Sequence, residues 1–164
     1  MSETKVIAEP GRQEIVQTRV FDAPRDLVFK TYLDPKLRAE WWGPSRYTTV
    51  VEKMEARRGG SWRIVQRDPE GNEFAFHGVY HDVVPPERLI ETFEWEGMPG
   101  HVSFNTATLE EVDGKTKVTN RIVFQSVEDR DGMLQSGMHQ GMSEGFDRFD
   151  ELLERLQKGI TRAA

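Results

Sequence analysis

At 164 residues, 37% hydrophobic and 30% charged, the chain is long enough to bury one domain's core and has nothing of a fibrous or membrane-embedded composition. A formal net charge of −6 argues against nucleic acid, whose phosphates call for a concentrated basic face. No cysteine is present, so a disulfide framework is excluded and a cytoplasmic location is expected.

Residues 1–12 carry Ser2, Glu3, Thr4, Pro10 and Gly11 and no apolar core for a secretion signal. They are expected as a flexible N-terminal tail ahead of a single domain over 13–160. Gln13 to Phe21 sets Ile15 and Val20 among polar residues in an imperfect alternation, which reads as an opening strand. Asp22-Ala-Pro24 then starts a helix, with Asp22 able to accept from the orphan amides, and Leu27, Val28 and Tyr32 carry helical spacing through Leu33. Asp34-Pro35 ends it and opens a second short helix, Lys36 to Trp42, closed by Gly43-Pro44.

From Tyr47 the period drops to two. Candidate strands are Tyr47–Arg57, Ser61–Arg67, Glu73–Val84, Arg88–Trp95, Val102–Glu111 and Lys117–Gln125. Gly59-Gly60, Asp68-Pro-Glu-Gly71, Pro85-Pro86, Gly97-Met-Pro-Gly100 and Asp113-Gly114 separate them. Breaks this short specify hairpins, hence an antiparallel meander. Val127 to Leu156 returns to helical period, with Leu134, Met138, Met142, Gly145, Phe149, Leu152 and Leu156 on one face. Gly137, Gly141 and Gly145 recur on this helix, although each mid-helix glycine costs about 1 kcal/mol relative to alanine. Close approach to the sheet is expected at Gly145, and open space at Gly141. The order strand, two short helices, six strands, long helix gives an α+β fold. A curved antiparallel sheet wraps around a C-terminal helix, leaving a cavity between them.

Several segments carry a family likeness in order and spacing: Phe21-Asp-Ala-Pro-Arg-Asp-Leu-Val-Phe29, Glu40-Trp-Trp-Gly-Pro44, Arg58-Gly-Gly-Ser-Trp62 and His77-Gly-Val-Tyr80. Pro85-Pro-Glu-Arg-Leu-Ile90 with Thr92-Phe93, and Gly141-Met142 leading to Gly145-Phe-Asp-Arg-Phe149, continue it. In these the chain is similar to the SRPBCC superfamily, the START-like or helix-grip proteins. More narrowly, it resembles the bacterial branch related to the C-terminal domain of heat-shock-protein ATPase activators. The resemblance implies a helix-grip fold and a function among lipid or hydrophobic-ligand binding, polyketide cyclisation and chaperone activation. Where relatives often carry Trp, this chain has Phe146.

Catalytic signatures are missing. There is no Gly-x-Ser-x-Gly elbow, and Ser61 and Ser103 lie in strand patterns without an adjacent base and acid. His77 and His81, four apart on one strand, are about 13 Å apart, too far for one zinc ion. No phosphate loop follows any strand, so neither a metal nor another cofactor is expected. The residues placed at the concave side are Trp42, Trp62, Gln66, Phe76, Tyr80, Phe93, Trp95, Asn120, Met138 and Met142. Gln66 and Asn120 stand out among them, because a buried amide is costly without a partner. Core packing and ligand contact both remain open for the aromatics.

The leading expectation is therefore non-catalytic binding of a small apolar or aromatic ligand between sheet and helix. A cyclase or hydrolase-like enzyme using Tyr80, His77 or Glu91 is the alternative, and a chaperone-activator-like protein contact is the third. No nucleic acid is expected as a partner. Stable membrane insertion is not expected either, since apolar runs fall far short of the roughly 20 residues that span a bilayer. A homodimer is left open.

Overall fold

Antiparallel pairing organises almost the whole chain. The computed structural model describes residues 3–163, the side chains of 138, 139 and 160–163 excepted. Its strands are β1 (Lys5–Ile7), β2 (Glu14–Phe21), β3 (Thr48–Met54), β4 (Ser61–Arg67), β5 (Glu73–Val84), β6 (Arg88–Trp95), β7 (Val102–Val112) and β8 (Lys115–Val123). They form one eight-stranded sheet in the order β1-β2-β8-β7-β6-β5-β4-β3. From β3 to β8 each strand pairs with its successor, as hairpin-length turns require. β2 extends the sheet beyond β8, with Glu14 opposite Val123 and Phe21 opposite Thr116.

The helices cover the concave face. α1 (Arg25–Leu33) and α2 (Pro35–Trp41) follow β2, while α3 (Val127–Gln135) and α4 (Met138–Ala163) follow β8. Asp34 caps α2 by accepting from the Lys36 and Leu37 amides. The main core joins Phe146, Phe149, Leu152 and Leu153 of α4 to Val28, Phe29, Tyr32 and Trp41 and to Phe21, Trp62 and Ile64 of the sheet. Trp41 and Phe149 meet edge to face at 4.8 Å, and Phe21 and Phe149 at 4.9 Å. A smaller cluster, Ile15, Ile122 and Phe124 with Met133, Leu134 and Met142 packed on it, lies towards α3.

Three expectations need correction. The segment expected as a flexible tail contains β1, which pairs Lys5 with Thr18 and Ile7 with Val16. Buried Arg19 donates to Thr4 Oγ1, and Arg130 donates to the Glu9 and Glu14 carbonyls, so side chains of the domain hold this segment in place. Asp22 does not cap α1, whose N-cap is Pro24 with no side-chain hydrogen bond. The single helix expected over Val127–Leu156 is two helices. Gly137 adopts φ +81°, a left-handed conformation that ends α3 and suits glycine.

Candidate functional site

α4 closes one half of the concave face, and the other half encloses a cavity of about 910 Å³ between the two clusters. Its walls come from the sheet floor, the Trp42–Tyr47 turn after α2, and the α3–α4 junction. Cross-strand register places its aromatics. Ile64, Phe76 and Trp95 stand opposite one another on β4, β5 and β6, with Phe93 two residues from Trp95 on the same face. Phe76 meets Trp42 at 5.1 Å edge to face and Phe93 at 5.4 Å, forming one ring cluster along the wall. The Gly43 turn holds Trp42 in place. Gln66 Nε2 donates to the Trp42 carbonyl at 3.2 Å and to Thr49 Oγ1, and a side chain at Gly43 would overlap that amide.

The far end is polar. Tyr80, Glu91 and Asn105 stand opposite one another across β5, β6 and β7, and Asn120 lies one row away opposite Ala107. α2 brings Arg38 over this row. Its guanidinium lies over the Tyr32 and Trp41 rings, donates to the Tyr32 carbonyl at 2.9 Å, and stands 4.0 Å from Glu91. Arg38, Glu91 and Asn120 are only 4%, 8% and 6% exposed. Yet Arg38 Nε, Glu91 Oε2, Asn105 Oδ1 and Asn120 Nδ2 are buried without a hydrogen-bond partner among the described residues. Unmet groups of this kind are costly, and their convergence on one cavity wall marks a place for a polar guest.

Burial pushes the Glu91 carboxyl up from its ordinary range, with Arg38 opposing. Burial likewise raises the Tyr80 phenol, and Glu91 adds to that rise. The Tyr32 phenol is raised by burial as well, with Arg38 the main opposing influence. At the rim, His101 Nδ1 lies 3.0 Å from the Asp129 carboxylate and ties the β6–β7 turn to α3.

Of the residues placed at the concave side from sequence, Trp42, Gln66, Phe76, Phe93, Trp95, Asn120 and Met142 line the cavity. Trp62 and Tyr80 do not. Both face inward but are 2% and 1% exposed in the main core, Trp62 against Phe93 and the Gly78 backbone. The side chain of Met138 lies outside the described residues. His77, a candidate acid–base group, sits on the outer face with Glu94 and Glu96. Arg38, Asn105 and Tyr32 were not singled out in the sequence. For Asn105 the signal was available, since Ser103, Asn105, Ala107 and Leu109 alternate onto one face of β7. Among the described residues no group of three or more His, Asp or Glu could hold a metal ion, and no helix is long and apolar enough to cross a membrane.

Comparison with known proteins agrees with this architecture. The family model for activator of Hsp90 ATPase homolog 1-like proteins matches residues 22–154. Protein Ms6760 from Mycobacterium smegmatis is 26% identical, covers 92% of this chain and 96% of its own, and superposes with a TM-score of 0.83. A Rhodobacter sphaeroides protein is 25% identical over 93% of this chain and 99% of its own, with a TM-score of 0.84. An Arthrobacter aurescens protein, 24% identical over 92% and 91% with a TM-score of 0.85, shares the fold. No curated protein matches.

Proposed function

The chain belongs to the activator of Hsp90 ATPase homolog 1-like family, and from that premise we propose that it binds, without transforming, a small and largely apolar or aromatic molecule between sheet and α4. The observation that carries this reading is the cavity of about 910 Å³ walled by Trp42, Phe76, Phe93 and Trp95. Sites for drug-sized ligands span roughly 300–1,000 Å³, apolar for the most part with a few convergent polar groups. A thermal-shift screen against metabolite and lipid panels, followed by mass analysis of each hit, tests it. A rise in melting temperature with the ligand recovered intact is expected. Hits recovered chemically altered would replace binding with catalysis.

One observation favours that second reading, a cyclase or hydrolase-like activity in the same cavity. Glu91 is a buried carboxyl of raised pKa on the cavity wall, a setting suited to general acid–base work. Of the three acid–base candidates it alone lines the cavity. The family description also names ATPase activation. Such a role would survive filling of the cavity, and following ATP hydrolysis by Hsp90 with the chain added tests it.

A further inference from the structure

We propose that the polar end of the cavity selects ligands whose head group is uncharged and both donates and accepts hydrogen bonds, such as a hydroxyl or carboxamide, over carboxylates and amines. This rests on the binding reading above and names the ligand class within it.

The four unmet groups divide evenly. Arg38 Nε and Asn120 Nδ2 are donors, whereas Asn105 Oδ1 and the Glu91 carboxylate oxygen Oε2 are acceptors. A head group confined to one role would leave half of them unanswered. A hydroxyl or carboxamide serves both. Charge points the same way. Arg38 and Glu91 offset each other across 4.0 Å, and Arg38 is further occupied by the Tyr32 carbonyl and two ring faces. A carboxylate head meeting Arg38 Nε would also meet Glu91 and the Asn105 oxygen, and an ammonium meeting Glu91 would meet Arg38. Either would lose its hydration in a wall with no uncompensated charge to replace it. Protein neighbours do not relieve these atoms. Gln66 finds the Trp42 carbonyl and Thr49, while the Asn120 amide nitrogen has only the Tyr32 phenol near it and completes no hydrogen bond of good geometry among the described residues.

The test uses four ligands of one shape: 2-methylnaphthalene, 2-naphthylmethanol, 2-naphthoate and 2-naphthylmethylamine, titrated into the full chain in neutral buffer by calorimetry. The alcohol should bind about tenfold more tightly than the methyl compound, as one or two well-placed hydrogen bonds would give. The carboxylate and the amine should bind more weakly than both. Asn120→Leu, or Asn105→Leu should the first fold poorly, should erase most of the alcohol's advantage and leave the methyl compound's affinity in place. The proposal is overturned if the carboxylate or the amine matches the alcohol, or if the alcohol keeps its advantage in both folded variants. An alcohol no better than the methyl compound would overturn it while leaving cavity binding intact. Binding by none of the four overturns both readings together.

Discussion

Glu91 is held between Tyr80 and Asn105 in the register, with one carboxyl oxygen facing Arg38 and the other unmet. Its folded pKa lies above the ordinary value of 4.5 because burial penalises the charge. Between those two values the folded chain holds more protons than the unfolded one, so stability falls as pH rises through that window. Glu91→Gln keeps the shape and removes the titration. Its stability relative to the parent should therefore climb as pH rises from about 4.5, the Arg38 attraction being already contained in the Glu91 shift. Denaturant unfolding at a series of pH values reads the slope, and parallel profiles would contradict the assignment. Trp62 belongs to a different class of inward residue. Being 2% exposed, Trp62→Ala should cost roughly 3–5 kcal/mol in the same measurement and leave cavity binding in the surviving fold unchanged. Strand alternation identified both Trp62 and Phe93 as inward-facing. It could not separate core from cavity wall, since that depends on where α4 crosses the sheet.

α4 meets α2 through glycine. A Cβ on Gly145 would lie 3.2 Å from the Trp41 carbonyl oxygen and the Gly43 nitrogen, backbone atoms that yield only if α2 shifts. At Gly141 the nearest atoms are ring carbons of Pro44 at 3.7 Å, an ordinary contact. Gly141→Ala should thus stabilise by up to about 1 kcal/mol, whereas Gly145→Ala should gain none of that. Equal gains in denaturant midpoints would show that α4 is free to lift off α2. The close contact expected at Gly145 is there, though against α2 and Gly43 rather than the sheet, whereas Gly141 faces Pro44 and not the open space expected. The sequence also merged α3 with α4, because Leu134, Met138 and Met142 keep helical spacing across Gly137 and one left-handed residue breaks the backbone without breaking the pattern. β1 escaped notice for the opposite reason. Three residues with Val6 and Ile7 exposed offer no periodicity, and backbone pairing with β2 together with Arg19 and Arg130 holds the segment. On the outer face Arg63 bridges Glu52 and Glu96 beside His77, and the Glu96 carboxyl falls to about 2, first through Arg63 and then His77. That contribution is present above the ordinary value of 4.5 and is lost as pH falls towards about 2. Glu96→Gln should accordingly flatten the acid limb of the unfolding profile, and an unchanged limb would contradict it.

At the scale of the molecule, hairpin turns made the meander legible, because each pairing is decided within a few residues of its own turn. The cavity is a long-range property. It arises where the α3–α4 break leaves one half of the concave face to side chains from α2 and the turn after it, β4 to β8 and the junction. Arg38, distant in sequence from Glu91 and Asn105, meets them only where α2 lies over the β6–β7 pair. Titration with N-phenyl-1-naphthylamine, an uncharged probe that brightens in apolar surroundings, tests the central claim. It should be carried out on the parent chain and on Ala107→Phe, which fills the cavity from its floor. One saturable site per chain is predicted, its affinity falling about tenfold or more in the folded variant, with Gly141→Leu at the rim as a second obstruction. Undiminished binding in both folded variants, or no saturable binding by the parent chain, would contradict the account.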